Sequence, residues 1–349
     1  MSMTKGPGLI ALLGSGETAP SSGVVYDRIT ARAEAPLRVA ILETPAGFQP
    51  NSERVAKKVA DFLSVRLQNL RPEIALLPAR ARGTDYSPDD PATSAAMLPS
   101  DMIFLGPGSP TYAARQLAGS LAWHRLQACH RRGTAVVTAS AATIAMGALA
   151  LPVYEIYKVG AELHWQPGLD LLAPYGLSIV FVPHWNNTEG GADLDTSRCY
   201  MGKDRYDQLV AMLPAGQTVV GIDEHTGLVL DLASGRAEVM GRGGVTLMRA
   251  GGARHYPRMD RFDLSDLGPF HMTDPCEGLP PEVWAESEIG PRPAPAAPRV
   301  PDNVLALVEE RQASRARHDW AAADVLRAQI IAAGWQVKDT PNGPVVEPV

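Results

Sequence analysis

The chain has 349 residues, of which 45% are hydrophobic and 20% charged, so it can bury a large core and is not globally disordered. The net charge of -6 argues against a protein that coats nucleic acid, because such binding requires clustered lysine and arginine, and it leaves local basic patches open.

The cysteines and the apolar runs indicate a cytoplasmic protein. Cys129, Cys199 and Cys276 are odd in number and widely spaced, which is typical of free thiols in a reducing compartment. The N-terminal apolar run Leu9–Leu13 is too short for a signal peptide. No run approaches the roughly 20 residues of a membrane helix, so we expect no membrane contact.

Apolar, β-branched runs separated by amphipathic stretches predict an α/β fold, with a mostly parallel sheet flanked by helices. The predicted parallel strands are Leu9–Gly14, Leu37–Thr44, Pro72–Ala79, Asp101–Gly108, Thr134–Ser140 and Leu177–Trp185. Asn51–Arg66 and Tyr112–His130 are the predicted crossover helices. Late antiparallel strands are predicted at Thr218–Asp223, Gly227–Asp231 and Ala237–Arg242, with a turn near Gly235.

The composition changes after residue 278. Residues 279–301 are rich in proline and alanine without an apolar period, which predicts a linker between a first domain, 1–278, and a small unit, 302–349. That unit is predicted to be a helical hairpin of Asp302–Arg317 and Trp320–Ala333, with a short extended tail after Gly334. It is too small to be a catalytic domain by itself.

The stretch VVTASAATIAMGAL, residues 136–149, carries the main candidate for catalysis. A buried strand leads into Ser140 and then into small residues that predict a closely packed helix. A nucleophilic serine requires such a turn, a base, a group that orients the base, and backbone N–H groups for the oxyanion. Spacing alone leaves the alternative of a buried serine at a helix start open.

Other predicted strand ends supply the remaining parts of such a site, since ligand sites of open α/β sheets gather at the carboxyl ends of strands. Gly108, in FLGPGSP, and Ala141 are candidates for the two oxyanion N–H groups. His184, in VPHWNN, is the candidate base, and Glu155 is the candidate that orients it.

The order of these motifs resembles the peptidase E and cyanophycinase family over about residues 8–250. The motifs are GSGE, AILETPAGFQPN, FLGPGSPTYAARQL, TAVVTASAA, an acid soon after, VPHW followed by arginines, and GIDEHTGLVL. The resemblance implies a class I glutamine amidotransferase-like fold and a serine peptidase. Ser140 matches its nucleophile, His184 its base and Glu155 its acid, with Glu162 as a less favoured acid. It also implies cleavage after aspartate or at β-aspartyl linkages.

Two features depart from the family pattern. Thr138 and Ala142 stand where elbow motifs carry glycine, and the added atoms either fit the turn or open it. The segment between His184 and the arginines is also enlarged.

The resemblance assigns substrate binding to Glu17, in GSGE, and to Arg198 and Arg205. The arginines are expected to pair a substrate carboxylate through a bidentate fork, with surface ion pairing as the alternative. Glu189, Asp193 and Asp195 match neither zinc nor calcium spacing, so we expect no metal and no cofactor.

Residues 307–348 resemble the C-terminal end of cysteinyl-tRNA synthetases, in the sequence DWAAADVLR, the following Gly-Trp pair and DTPNG. In those enzymes this end belongs to the anticodon-binding region, so tRNA contact is implied. Docking on a protein is the alternative, because acidic residues offset the basic ones. The candidates for phosphate contact are Arg311, Arg315, Arg317 and Arg327.

The leading hypothesis is a serine hydrolase that acts through an acyl-enzyme on a small Asp-containing or β-aspartyl-like amide. One alternative is a non-catalytic α/β binding module with an RNA- or protein-binding hairpin. Another is amide transfer in biosynthesis with the same residues. A homodimer is compatible with the sequence.

Overall fold

The computed structural model describes residues 6–249, 252–288, 301–340 and 343–348, in two compact units that divide at residue 290. The strands are β1 (Ile10–Leu13), β2 (Arg38–Leu42), β3 (Glu73–Leu77), β4 (Met102–Leu105), β5 (Ala135–Ala139), β6 (Leu149–Ala150), β7 (Gln166–Pro167), β8 (Ile179–Val182), β9 (Thr218–Ile222), β10 (Thr226–Asp231), β11 (Arg236–Gly241), β12 (Val245–Arg249), β13 (Gly252–Tyr256), β14 (Arg261–Asp263), β15 (Trp335–Thr340) and β16 (Gly343–Pro348). The helices are α1 (Gly23–Thr30), α2 (Ser52–Arg66), α3 (Pro91–Ser94), α4 (Pro110–Leu117), α5 (Leu121–Arg131), α6 (Ala141–Ala145), α7 (Val153–Tyr157), α8 (Gly202–Ala211), α9 (Pro281–Glu288), α10 (Asp302–Ala316) and α11 (Trp320–Ala332).

An eight-stranded sheet forms the centre of the first unit. Strands β3, β2, β4, β5 and β1 run parallel, and β10, β11 and β14 extend the sheet antiparallel beyond β1. Alternate residues of β1 enter two different core clusters, Ile10 and Leu12 on one face and Ala11 and Leu13 on the other. The predicted α/β fold, with a large and mostly parallel sheet flanked by helices, is confirmed.

The strand that precedes His184 lies in a second sheet, and the prediction of a single sheet is wrong in this respect. β8 pairs parallel with β9 in a four-stranded sheet of order β13-β12-β9-β8. β9 also pairs antiparallel with β12, as predicted, and β10 and β11 form the expected antiparallel pair with a turn at Gly235. An apolar run indicates burial but does not identify the neighbouring strand.

The helix predicted over Tyr112–His130 is two helices, α4 and α5. The chain breaks at Gly119, which has φ +67°, and the Ser120 hydroxyl then caps α5 by accepting the N–H of Trp123.

Among the described residues, none of the helices combines the length and the hydrophobicity that a membrane span requires.

The predicted linker begins with helix α9, which packs on α5. Arg125, which is 3% exposed, donates to both carboxylate oxygens of Glu286 at 2.6 and 3.0 Å. The Arg132 guanidinium lies 3.7 Å from the centre of the Trp284 ring. The residues up to 288 thus belong to the first unit. Their composition is typical of a linker, but contacts with α5 hold them in a helix. Residues 289–300 of the predicted linker lie outside the described residues.

The C-terminal unit consists of α10, α11 and a β-hairpin. Val304, Val308 and Ile330 of the helices pack against Trp335 and Val337. The two helices agree with the prediction, but the predicted extended tail is one strand of an antiparallel pair, β15 with β16. The unit is therefore a helical hairpin completed by two strands.

Candidate active site

Ser140 lies at a sharp turn between the end of β5 and the start of α6. Its backbone has φ +51° and ψ -112°, a region that residues with side chains rarely occupy. Such strained residues cluster at functional sites, and this turn has the features of a nucleophile elbow. The Oγ atom lies 2.9 Å from Nε2 of His184.

The two residues that replace glycine at the elbow fit the turn. The Thr138 and Thr143 hydroxyls are 3.0 Å apart, and the Thr143 hydroxyl donates to the carbonyl of Leu13 at 3.0 Å. Ala142 is fully buried in the core beneath the sheet edge. The added atoms are accommodated by packing and hydrogen bonds, and the turn stays closed.

His184 is held between Ser140 and Glu224. His184 follows β8 and Glu224 follows β9, and these parallel neighbours pair Val182 with Gly221. The carboxyl ends of the two strands therefore lie side by side, and Nδ1 of His184 is 2.9 Å from Oε1 of Glu224.

The protonation of the site follows from these partners. The hydrogen bond from His184 lowers the pKa of Glu224 below its ordinary value, against the opposing effect of burial. An ionised carboxylate only accepts hydrogen bonds, so Nδ1 carries the proton and Nε2 presents its lone pair to the Ser140 hydroxyl. The side chains of His184 and Glu224 are 15% and 27% exposed, so the site is open to a ligand.

Glu155 does not orient His184, and this prediction is corrected by the geometry. Glu155 lies on α7, and its Oε2 atom is buried without a hydrogen-bond partner among the described residues. The Nδ1 position that it was predicted to occupy is taken by Glu224. The less favoured candidate Glu162 is exposed, and its carbonyl oxygen lies 2.8 Å from Nδ1 of His164.

A signal for Glu224 is present in the sequence. The turn DEH follows the apolar run Thr218–Ile222 directly, as His184 follows the run Ile179–Val182. An acid at a strand end is a better partner for such a histidine than an acid close to the nucleophile in sequence. The pairing of β8 with β9 brings the two ends together.

The two candidates for the oxyanion N–H groups follow neighbouring strands. Gly108 follows β4 and Ala141 follows β5, which run parallel. A Cβ atom on Gly108 would lie 1.9 Å from the carbonyl oxygen of Pro45, so only glycine fits this turn. The N–H of Ala141, the first residue of α6, has no acceptor within the helix. Their role toward an oxyanion stays a prediction.

Both candidate arginines are engaged with the protein. The Arg198 guanidinium stacks on Trp185 at 3.9 Å and donates to the Trp185 carbonyl at 3.0 Å. Arg205 donates through Nε and Nη2 to the carbonyls of Met201 and Tyr200, at 2.7 and 3.1 Å. The bidentate fork predicted for a substrate carboxylate is therefore already occupied in Arg205.

Glu17 lies in the loop after β1, the strand next to β5. Its carbonyl accepts the Tyr26 hydroxyl at 2.8 Å. Burial raises the pKa of Tyr26 well above its ordinary value, and the Glu17 carboxylate adds to this shift. Glu17 thus follows a strand that pairs with β5, and its role in substrate binding stays a prediction.

The predicted basic surface of the C-terminal unit is only partly available. Arg311 is 3% exposed and donates to both carboxylate oxygens of Asp339, at 2.8 and 2.9 Å, so its predicted phosphate contact is wrong. Arg315 lies 5.3 Å from the centre of the exposed Trp320 ring. Arg317 and Arg327 are exposed.

Comparisons with known proteins bear on both units. No family model matches the chain. A peptidase from an acI-B1 Actinobacterium has a similar fold, with a TM-score of 0.58 and 18% identity over 74% of this chain and 97% of its own. A putative peptidase E protein from Listeria monocytogenes EGD-e aligns with a TM-score of 0.44 and 11% identity, over 72% of this chain and 98% of its own.

The curated relatives match a short segment. A cysteine–tRNA ligase from Chlamydia pneumoniae is 36% identical over 86 residues, which are 25% of this chain and 18% of the ligase. Another from Burkholderia lata is 51% identical over 49 residues, 14% of this chain and 10% of the ligase. The chain thus spans less than a fifth of the length of these relatives. The predicted resemblances, to peptidases in fold and to cysteine–tRNA ligases in the C-terminal segment, are confirmed.

Proposed function

We propose that the chain is a serine hydrolase that cleaves an amide or peptide bond through an acyl-enzyme. The observation that carries this proposal is the Ser140–His184–Glu224 arrangement, with 2.9 Å at each of its two contacts. Its position on a strand-to-helix elbow supports nucleophilic catalysis.

In the proposed reaction, the serine, the histidine, the glutamate and the two backbone N–H groups each have a defined role. Nε2 of His184 takes the hydroxyl proton as Ser140 Oγ bonds to the carbonyl carbon, and the N–H groups of Gly108 and Ala141 bind the oxyanion. His184 returns the proton to the leaving nitrogen as the C–N bond breaks. A water molecule, deprotonated by the same Nε2, then attacks the acyl carbon, and His184 returns that proton to Ser140 Oγ as the ester bond breaks and the acid leaves. Glu224 stabilises the imidazolium in both steps.

The proposed substrate is a small Asp-containing or β-aspartyl-like amide. This proposal is supported by the sequence resemblance and by the fold shared with a protein described as a peptidase. The same residues also suit amide transfer, in which an amine replaces water in the second step.

A serine-directed fluorophosphonate probe tests the proposal. We expect the probe to label the wild-type protein and to leave Ser140→Ala unlabelled, with unchanged thermal unfolding. Ser21→Ala is the matched control, because the Ser21 hydroxyl lies 3.3 Å from Nδ1 of His225 and forms the neighbouring Ser–His contact. Labelling of Ser140→Ala at the wild-type rate contradicts the proposal and favours a non-catalytic binding module.

We further propose that the C-terminal unit contacts RNA. Trp320 is 53% exposed, with the Arg315 guanidinium 5.3 Å and the His318 ring 5.8 Å from its ring centre. An exposed aromatic ring beside a guanidinium group suits stacking on an unpaired base. The similarity of this segment to cysteine–tRNA ligases supports the same partner.

The RNA proposal is tested with total tRNA and the full chain. Trp320→Ala is expected to weaken binding at least tenfold, roughly the cost of one lost stacking contact. Val325→Ala is the control, since Val325 is also exposed on α11, at 59%. Absence of tRNA binding by the wild-type protein contradicts the proposal and leaves docking on a protein as the alternative.

A further inference from the structure

The segment between His184 and α8 contacts Glu224 at two points. The Asn186 side-chain oxygen accepts the backbone N–H of Glu224 at 2.8 Å. The Asn187 Nδ2 atom donates to Oε1 of Glu224 at 2.9 Å. Oε1 therefore accepts from Asn187 and from His184 at the same distance.

Asn187 is a buried amide whose orientation is set by its partners. It is 1% exposed, its Oδ1 accepts the N–H of Glu189 at 3.1 Å, and its own N–H donates to the carbonyl of His184 at 3.2 Å. With Oδ1 committed to an N–H donor, Nδ2 must face Glu224. Burial of an amide is costly unless it is hydrogen-bonded, so this side chain is held in one orientation.

Glu224 itself depends on such a contact. Its side chain is 27% exposed, and a glutamate side chain loses considerable rotamer freedom when it is held in one conformation. The bond from His184 alone would let the carboxylate and the imidazole move together. A second donor on a buried residue removes that freedom.

We propose that Asn187 is a positioning residue that holds the Glu224 carboxylate against His184, and through it keeps Nε2 directed at Ser140. This inference rests on the proposed function. Asn187 is not in contact with Ser140 in the described structure, so it acts through Glu224 and not on the substrate. The enlarged segment after His184 thus supplies a fixed support for the acid.

The experiment compares the inactivation rate constant kinact and the probe-binding constant KI of a fluorophosphonate. In Asn187→Ala, kinact is expected to fall roughly 10- to 100-fold, as for loss of a hydrogen bond to a charged group, while KI stays within about threefold. Asn187→Leu fills the site without a hydrogen-bond donor, and therefore tests loss of the same donor if the alanine variant does not fold. A lost Asn187 contact should also shift the downfield proton resonance of His184 Nδ1–H.

Asn186→Ala is the matched control. Asn186 also bonds Glu224, but it is exposed and contacts only the backbone, so water replaces it and kinact stays within about threefold. Wild-type kinact and an unshifted proton resonance in a folded Asn187→Ala or Asn187→Leu variant overturn the inference alone. A wild-type protein that the probe does not label overturns the proposed function and the inference with it.

Discussion

The identity of the acid in the proposed mechanism gives the sharpest prediction. Glu224→Gln removes a carboxylate whose oxygen lies 2.9 Å from Nδ1 of His184, and Glu155→Gln changes a carboxyl group whose Oε2 has no hydrogen-bond partner among the described residues. Both changes preserve side-chain size. The two variants thus separate the acid predicted from sequence from the acid found in the fold.

The expected magnitude follows from the charge on the imidazolium that forms during the reaction. At a charge separation of about 4 Å and an effective dielectric constant of about 20, the attraction is about 4 kcal/mol. Because the Glu224 side chain is 27% exposed, solvent screening reduces this to about 2–3 kcal/mol. The rate of probe labelling should therefore fall roughly 30- to 150-fold.

The assay is the second-order rate of fluorophosphonate labelling at neutral pH, with thermal unfolding as the test of folding. Glu155→Gln should label within about threefold of wild type. Loss of labelling in folded Glu155→Gln, with normal labelling in Glu224→Gln, would refute the assignment and the electrostatic argument behind it.

Three further outcomes concern stability. The hydrogen bond from His184 lowers the pKa of Glu224, so the ionised carboxylate stabilises the fold above its unfolded pKa of about 4.3. This stabilisation is lost as pH falls through the folded pKa. In thermal scans, the unfolding temperature of Glu224→Gln should therefore fall less on acidification than that of the wild type. Burial lowers the pKa of His130 to about 4, and neither of its ring nitrogens has a partner among the described residues. The neutral His130 side chain therefore contributes its full stability above its unfolded pKa of about 6.5, and this stability is lost as pH falls toward the folded pKa. The unfolding temperature of His130→Leu should fall less than that of the wild type over this pH range, and the rate of probe labelling should not change. Arg311→Ala should destabilise the C-terminal unit by about 2 kcal/mol, because it removes two charge-assisted hydrogen bonds from a buried arginine to Asp339. Arg315→Ala, which removes an ion pair to the same carboxylate from a side chain that is 40% exposed, should cost less than about 1 kcal/mol in the same unfolding measurement.

Local pattern identifies the elements of this protein well. The apolar runs around Ile10, Val39, Phe104 and Val137 form strands because burial on both faces of a parallel sheet demands continuous hydrophobicity. The positions of Ser140 and His184 follow from the same reasoning, since each lies within two residues of the end of such a run.

The local sequence pattern does not predict which strands or helices that are distant in the chain become neighbours. Nothing in the run Ile179–Val182 indicates that it joins a separate sheet with Thr218–Ile222. Helix α9 likewise packs on α5 through an ion pair with a buried arginine. The composition of its own segment, which is typical of a linker, does not indicate this contact.

The amino-acid sequence by itself determined the α/β class, the serine at a strand end, the histidine that contacts it, and the helical hairpin of the C-terminal unit. Each of these depends on residues close together in the chain. Only the tertiary structure decided that Glu224, and not Glu155, lies against His184, because that contact forms when two strands 39 residues apart align their ends, as Val182 does with Gly221. Hydrophobic periodicity specifies which residues are buried, whereas hydrogen-bonded strand pairing specifies which buried strands become neighbours.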